Sequence, residues 1–344
     1  MKSKITVFNL ETNLDSPLLA TSHSWLQEIS KHFDEVKVIS THVGRYELPS
    51  HVKVHELGGG TLLKRLRAIW RLSTIFFQIA KDRSDQLVLH HMSPRTATFP
   101  GVFLRMLGIP QVLWYSHSSY PVSLKFGVRF VNLVLSSTPS SIPYDGKKLE
   151  CIGHGIDFPK KFTLSNSIID SGIIAIGRIS PIKNLDVLIQ LIGDSAQSDL
   201  PVTLIGPSNA DYRQRLEELA AYLDVNLLIY EAVPHKSVFK KLSSHLLYYS
   251  GMQNSVDKSA LEASSMGCLV VTTDASTLDL TGMSKFWMST LGRVPTTLEE
   301  QVSLLTSLDS SQLTEARNSV AHHTRENNNI SMLVDKILTL TERL

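Results

Sequence analysis

Two cations follow a short apolar run near the middle of the chain. The run Gly172–Gly177 is rich in isoleucine, and Arg178 and Lys183 come directly after it, before an amphipathic segment begins. A guanidinium and an ammonium at the start of a helix could bind a diphosphate, because its oxygens would meet positive charge and free backbone N–H groups together. Arg178 and Lys183 are equally consistent with an ordinary solvated loop.

A second segment, Tyr248–Val271, places polar groups at the start of a predicted helix. Gly251 permits a tight turn, and the candidate capping residues are Asn254, Ser255 and Asp257. Glu262 falls on the apolar stretch of this helix, where a carboxylate needs hydrogen-bond partners. Sugar hydroxyls would satisfy it, and so would a neighbouring element of the core.

The elements that must position these residues alternate along the chain. Short β-branched runs alternate with longer amphipathic segments, which predicts parallel sheets built from strand-helix-strand units. The length of 344 residues suits two domains, since one domain usually takes ~100–200. The predicted strands of the first half are Ile5–Leu10, Val36–Ser40, Val52–Leu57, Leu87–His91, Gln111–Tyr115 and Leu133–Ser136. Those of the second half are Gly172–Gly177, Val202–Gly206, Asn226–Tyr230, Leu246–Tyr249 and Cys268–Thr272. Predicted helices of the first half are Pro17–Phe33, Leu62–Lys81 and Thr96–Leu107.

The order of these motifs resembles that of a known enzyme family. Gly177-Arg178 and Lys183-Asn-Leu-Asp186, followed by Asp257-Lys-Ser-Ala-Leu-Glu-Ala and Gly267-Cys-Leu-Val-Val271, resemble retaining GT-B glycosyltransferases of the family 4 type. In the first half, His90-His91, the run Leu107–His117 and Cys151–Asp157 resemble the corresponding segments of the same family. The resemblance covers nearly the whole chain.

This resemblance implies an α/β architecture, the GT-B fold, in which two doubly wound Rossmann-like domains face a central cleft. Residues 1–164 would form the acceptor-side domain and residues 165–325 the domain that binds the nucleotide sugar. Residues 326–344 would form a C-terminal helix that packs back on the first domain.

The resemblance also implies roles for individual residues. Arg178 and Lys183 would bind the donor diphosphate and stabilise it as it leaves, and Glu262 would bind the ribose hydroxyls. His117 would position the transferred sugar, so that His117, Arg178 and Lys183 form the predicted catalytic set. The loop before the helix of Glu262 would face the donor sugar through Asn254, Ser255 and Val256.

The sequence departs from the family pattern at two places. Asn254 stands where the family commonly has a first glutamate, which leaves the donor preference, and activity itself, open. The usual glycine-rich acceptor loop after the first strand is replaced by a polar loop. We expect acceptor or sugar contacts from that loop and a later strand end, through Asn13, Asp15, Ser16 and His91; His90 and His154 are weaker candidates.

Metal and cofactor motifs are missing from the sequence. It has no Cys-x-x-Cys pair, no His-Glu-x-x-His helix and no Asp-x-Asp strand end, so we expect metal-independent transfer with the nucleotide sugar as substrate and no cofactor. Nothing predicts a nucleic-acid partner. The two cysteines, Cys151 and Cys268, cannot form a disulfide framework, which favours a cytoplasmic protein with reduced thiols.

The charge is unevenly distributed. The net charge of +2 combines +8 for residues 1–165 with −6 for residues 166–344. Four cations, Lys64, Arg65, Arg67 and Arg71, lie among Leu, Trp and Phe on a predicted helix. This pattern is typical of a helix on an anionic membrane surface, and also of a helix that packs on a sheet with its cations in water. No run reaches the ~20 apolar residues of a membrane span, so we expect at most peripheral association with the inner face of the membrane.

Together these observations predict a retaining hexosyltransferase that moves a sugar from a nucleotide diphosphate to a glycan, in the synthesis of a surface polysaccharide or a lipid-linked oligosaccharide. Two alternatives stay open. One is a sugar-nucleotide-binding or scaffold protein without turnover, which Asn254 and the missing glycine-rich loop suggest. The other is a nucleotide-sugar epimerase, which would need an acid and a base that the sequence does not identify.

Overall fold

The structure is a computed structural model that describes residues 3–16, 21–58, 73–81, 86–160, 164, 170–195 and 199–344. The chain forms two compact units. Unit 1 comprises residues 1–157 together with 330–344, and unit 2 comprises residues 158–329.

Unit 1 is built on a sheet of seven described strands that are all parallel. The strands are β1 (Lys4–Thr12), β2 (Glu35–Val43), β3 (Val52–Glu56), β4 (Gln86–His91), β5 (Gln111–Trp114), β6 (Leu133–Ser136) and β7 (Leu149–Cys151). Its helices are α1 (Thr21–Ser30), α2 (residues 73–81), α3 (Pro94–Met106), α4 (Val122–Phe130) and α13 (Ile330–Thr341). The spatial order 3-2-1-4-5-6-7 is that of a doubly wound Rossmann-like sheet.

The strands of unit 1 are apolar on both faces because helices cover both sides of the sheet. Consecutive residues of β1 illustrate this: Val7 joins a core cluster with α1 and α13, whereas Phe8 joins a second cluster with α2. A third cluster joins α3 and α4 to the same sheet. Helix α13 therefore contributes to the core of unit 1, although it follows the whole of unit 2 in the sequence.

Unit 2 has a second parallel sheet of five described strands in the order β10-β9-β8-β11-β12. Its strands are β8 (Asp170–Ile176), β9 (Val202–Ile205), β10 (Leu227–Tyr230), β11 (His245–Tyr249) and β12 (Leu269–Val271). Its helices are α5 (Leu185–Gly193), α6 (Ala210–Tyr222), α7 (His235–Ser243), α8 (Lys258–Ser265), α9 (Ala275–Leu280), α10 (Met283–Leu291), α11 (Leu298–Thr306) and α12 (Ser310–Asn327). This order repeats the doubly wound arrangement of unit 1.

Every strand predicted from the sequence is present, with ends that differ by at most three residues. Strand β7 was not predicted, because its three residues show too little periodicity to mark a strand. The predicted helix 62–81 is described only from residue 73, so Lys64, Arg65, Arg67 and Arg71 lie outside the described residues. In the ranges that are described, no helix combines the length and hydropathy that crossing a bilayer requires.

The topology predicts where a ligand binds in each unit. In an open parallel sheet, ligands bind beyond the carboxyl ends of the strands where the strand order reverses. That point lies between β1 and β4 in unit 1, and between β8 and β11 in unit 2. Most of the site residues predicted from the sequence lie in the segments that follow these four strands.

His90 belongs to the core of unit 1 and makes its stability dependent on pH. Its ring stacks on Phe8 with centroids 5.2 Å apart, and its nitrogens lie 2.9 Å from Thr96 Oγ1 and 3.1 Å from Gln111 Oε1. Burial lowers the pKa of His90 to about 4, because the protonated ring would lose its hydration.

We expect unit 1 to lose about 3 kcal/mol of stability as the pH falls from 6.5 to 4, because the unfolded chain takes up the proton first. Urea unfolding at pH 6.5 and at pH 4 measures this loss. His90→Gln should flatten the pH dependence between these values. An unchanged pH slope in His90→Gln would show that another group causes it.

Candidate functional site

The carboxyl end of β8 is shaped by two glycines that approach closely. Gly177 has φ +126° and Gly206, after β9, has φ +152°. A Cβ on Gly206 would lie 1.9 Å from the carbonyl oxygen of Gly177, so no other residue fits without a backbone shift. Arg178 follows Gly177 and is exposed.

Lys183 ends a short 3-10 turn after β8 and points back across the end of the sheet. Its Nζ donates to Asp257 Oδ2 at 2.6 Å and lies 3.4 Å from the carbonyl oxygen of Ile176. The side chains of Lys183 and Asp257 are only 13% and 4% exposed. The predicted diphosphate-binding lysine is thus held by a carboxylate of the protein itself.

Asp257 is the N-cap residue of α8 and accepts several hydrogen bonds. Its Oδ1 accepts from the backbone N–H of Ser259, and its Oδ2 accepts from the hydroxyls of Tyr248 and Ser250, both at 3.3 Å. Burial, together with the Asp257 carboxylate, raises the pKa of Tyr248 well above its ordinary value. Tyr248 therefore stays protonated and donates. A negative charge belonging to the protein occupies the N-terminus of α8, where an anionic ligand would be stabilised.

The loops that follow β8 and β11 are joined by further hydrogen bonds. Asn184 adopts a left-handed conformation with φ 48° and donates from Nδ2 to the carbonyl oxygen of Gly251 at 2.8 Å. Tyr249 donates from its hydroxyl to the carbonyl oxygen of Asn184 at 2.8 Å. A Cβ on Gly251 would lie 2.2 Å from the carbonyl oxygen of Lys183. The structure thus brings together two loops that are more than sixty residues apart in the sequence.

The loop that is predicted to face the donor sugar is partly exposed. Asn254 is exposed at φ 55°, and its backbone N–H donates to Asp274 Oδ2 at 3.2 Å. Ser255 is half-buried and Val256 is buried. Because the N–H of Asn254 is bonded within the protein, it does not point freely at a ligand in this structure.

Glu262 lies one turn further along α8 and is buried, with its side chain 7% exposed. Its Oε1 accepts a hydrogen bond from His235 Nε2 at 2.8 Å. His235 begins α7, is 46% exposed and packs edge-on against Phe239. Sequence reasoning missed His235, because its partner is 27 residues away and no local pattern marks the pair.

In unit 1 the loop after β1 is organised around Glu11. Asn13 Nδ2 donates to Glu11 Oε1 at 3.1 Å, and Ser16 Oγ donates to Glu11 Oε2 at 2.9 Å. Asp15 turns outward and pairs with Arg45 at 2.8 Å, and this hydrogen bond lowers the pKa of Asp15. Glu11 therefore orders the predicted contact residues Asn13 and Ser16, whereas Asp15 belongs to an exposed ion pair.

The histidines of unit 1 differ in their surroundings. His91 Nδ1 lies 3.0 Å from Asn9 Oδ1, and its ring lies 4.8 Å from Trp25. His117 follows β5, is exposed, and accepts from the backbone N–H of Ser119 at 2.9 Å. His154 is buried, with its ring edge-on to Trp114 at 6.1 Å. His91 thus lies at the switch point of the sheet beside the loop of Glu11.

Within each unit, most of the predicted residues lie in one neighbourhood of the sheet, whereas His117 follows β5 and Asp15 turns outward. In unit 2, Lys183, Asn254, Ser255, Val256 and Glu262 lie on or beside the loops after β8 and β11, and Arg178 lies on the first of these loops. In unit 1, Asn13, Ser16 and His91 lie after β1 and β4. Over the described ranges, no three His, Cys, Asp or Glu residues are grouped so that they could hold a metal ion.

The two doubly wound sheets and their end loops are those of the GT-B fold. HepE of Anabaena, solved with UDP and glucose, matches with a TM-score of 0.73 at 13% identity, covering 99% of this chain and all of its own. Sucrose-phosphate synthase of Thermosynechococcus elongatus matches with a TM-score of 0.75 at 13% identity, over 99% of this chain and 98% of its own. The lipopolysaccharide outer core galactosyltransferase WaaB matches with a TM-score of 0.69 at 10% identity, over 99% of this chain and 100% of its own.

These likenesses confirm the fold that the sequence predicts. They are likenesses of structure alone, because identities of 10–13% are low. No protein-family model matches the sequence. No curated protein matches it either.

Proposed function

We propose that the protein is a glycosyltransferase that takes its sugar from a nucleotide diphosphate bound by unit 2. The observation that carries this proposal is the neighbourhood of Lys183, Asp257 and Asn184 at the switch point of the second sheet. Parallel sheets bind ligands at this point, and a lysine there supplies the charge that a diphosphate requires. The UDP and glucose that HepE binds support a donor of this class.

Three groups of unit 2 would hold the parts of the donor. Lys183, released from Asp257, and the exposed Arg178 would bind the diphosphate. Glu262 would accept hydrogen bonds from the ribose hydroxyls, with His235 fixing the orientation of its carboxylate. Asn254, Ser255 and Val256 would face the sugar. Asn254 is an uncharged group that can both donate to and accept from a hydroxyl.

The proposed reaction retains the configuration of the anomeric carbon. The acceptor hydroxyl would attack on the face from which the diphosphate departs, and the negative charge that develops on the diphosphate would be stabilised by Arg178 and Lys183. These two cations would stabilise the leaving group without a metal ion. His117 would position the sugar, and Asn13, Asp15, Ser16 and His91 would contact the acceptor or the sugar.

The acceptor that we propose is a glycan of a surface polysaccharide or a lipid-linked oligosaccharide, handled in the cytoplasm at the inner face of the membrane. WaaB, a lipopolysaccharide outer core galactosyltransferase, and WaaG, a glycosyltransferase involved in lipopolysaccharide biosynthesis, support an acceptor of this class. The basic segment with Lys64, Arg65, Arg67 and Arg71 would add attraction to an anionic membrane.

Transfer and hydrolysis assays with UDP-, GDP- and ADP-sugars test the proposal, with anomeric configuration read by NMR. One donor should be consumed, and the product should keep the configuration of the donor. Arg178→Ala should abolish most of this turnover, whereas the exposed Lys240→Ala on α7 should not. Turnover with inverted configuration would contradict the mechanism.

A sugar-nucleotide-binding protein without turnover is the second candidate. Two observations favour it: the pairing of Lys183 with Asp257 and the uncharged Asn254 in place of a glutamate. Tight nucleotide binding without hydrolysis or transfer, for every donor and with varied acceptors, would support this candidate over the enzyme.

A further inference from the structure

Lys258 is the first residue of α8 and lies between two residues of the proposed donor site. It follows Asp257 directly and comes one helical turn before Glu262. Residues at i and i+4 share one side of a helix, and helical side chains lean toward the N-terminus. Four residues of helix span about 6 Å along its axis. The ammonium of Lys258 therefore belongs to the side of α8 that carries Glu262, toward the N-terminal end.

The requirements of helix α8 do not explain a lysine at this position. The helix dipole opposes a cation at the first position of a helix and favours acidic residues there. The first turn of α8 instead carries Lys258 and contains no acidic residue. A lysine that precedes a glutamate by one turn is also the less favourable order for a pair on a helix surface. Both effects disfavour Lys258 within α8, so the reason for this lysine lies outside the helix.

The ammonium of Lys258 is available to a ligand. Lys258 is exposed, and among the residues that the structure describes none forms a hydrogen bond or an ion pair with its ammonium. Desolvation by the surrounding protein lowers the pKa of Lys258, whereas the nearby Glu262 carboxylate raises it. Lys183, by contrast, is only 13% exposed and is bonded to Asp257. An anion bound at Lys258 would replace the hydration that the surrounding protein removes.

We propose that Lys258 is a third donor-binding cation and that its ammonium binds the phosphate next to the ribose. This proposal rests on the proposed function, in which Glu262 binds the ribose hydroxyls and Arg178 and Lys183 bind the diphosphate. The span of about 6 Å between Lys258 and Glu262 suits a nucleotide, because the 5′ phosphate lies across the ribose from the 2′ and 3′ hydroxyls. Since Lys183 is already held in an ion pair, Lys258 and the exposed Arg178 supply the positive charge that the donor meets first.

Calorimetry with UDP and UMP, and ligand-observed NMR titration with uridine, test this proposal; the guanosine or adenosine compounds replace them should the wild-type protein bind GDP or ADP instead. Lys258→Met should weaken the binding of the diphosphate and of the monophosphate by about tenfold each, and leave the binding of the nucleoside unchanged. Lys258→Arg should retain most of the affinity, because it keeps the charge. Without ligand, Lys258→Met should unfold at the same temperature as wild type or a higher one, because the opposition to the helix dipole is removed.

The matched control is Lys240→Met, which removes an exposed cation of α7 and should leave all three affinities unchanged. Equal affinities of wild type and Lys258→Met for the monophosphate would overturn this inference and leave the proposed function standing. An equal loss for nucleoside, monophosphate and diphosphate would overturn it as well, because Lys258 would then act through the shape of the site and not through a phosphate. A wild-type protein that binds none of UDP, GDP and ADP would overturn the proposed function together with this inference.

Discussion

Asp257→Asn is expected to tighten the binding of UDP or another nucleoside diphosphate by about tenfold, and Lys183→Ala to weaken it by about tenfold to a hundredfold. The two residues form one ion pair, yet the substitutions act in opposite directions. The reason is that the diphosphate and the Asp257 carboxylate compete for the same ammonium group, which lies 2.6 Å from Asp257 Oδ2.

Asp257→Asn removes the negative charge of the side chain but keeps its size and shape. Asparagine caps a helix as well as aspartate does, and with its Oδ1 on the Ser259 N–H its amide group faces the Tyr248 and Ser250 hydroxyls, whose oxygens can accept from it. It leaves Lys183 without an anionic partner and removes a negative charge from the N-terminus of α8. Both changes favour a bound diphosphate.

Isothermal titration calorimetry with UDP, GDP and ADP measures the two affinities. Lys183→Ala leaves Asp257 buried without its cation, so the double variant Lys183→Ala/Asp257→Asn is needed to show that weaker binding does not come from local misfolding. Lys240→Ala, an exposed cation of α7, is the control for net charge. Weaker binding in Asp257→Asn would mean that the aspartate orients the lysine toward the ligand and does not compete with the ligand for it.

The fold was predictable because its signals are local. Both sheets are covered on both faces, so strands such as β9 and β11 appear in the sequence as short apolar runs separated by amphipathic helices. Strand β7 has only three residues and two of them are exposed, which leaves no such signal. The packing of α13 on unit 1 was expected from the family resemblance alone, because it depends on contacts that form across the whole chain, such as that of Leu333 with Gly155.

The candidate site was predictable only in part. The positions of Lys183 and Glu262 follow from the strand ends and the family resemblance. The pairing with Asp257 and His235 could not be predicted in this way. The ion pair joins residues 74 positions apart and the hydrogen bond joins residues 27 positions apart, so both contacts depend on the tertiary structure. Asp257 could be named as a cap from its place before α8. Only the structure shows that this capping residue also forms an ion pair with Lys183.

Glu262→Gln is expected to weaken UDP binding by about tenfold or more while leaving the binding of inorganic pyrophosphate unchanged. A buried carboxylate that accepts from ribose hydroxyls makes charge-assisted hydrogen bonds worth about 1.5–3 kcal/mol each, and glutamine keeps the shape of the side chain without the charge. Comparing UDP with its 2′,3′-dideoxy analogue assigns the effect to the ribose. Wild type should prefer UDP, and Glu262→Gln should lose most of that preference.

The hydrogen bond between Glu262 and His235 allows a second variant to be compared with Glu262→Gln. His235 now holds Glu262 Oε1 at 2.8 Å, so His235→Ala should lower the affinity for UDP less than Glu262→Gln does, since the carboxylate itself remains. Glu217→Gln, on the exposed side of α6, is the control for the loss of one negative charge. If Glu262→Gln weakened the binding of UDP and the binding of pyrophosphate equally, Glu262 would affect affinity by stabilising α8 and not by contacting the ribose. The proposed diphosphate site around Lys183 would stand in that case, because Asp257→Asn and Lys183→Ala test it separately.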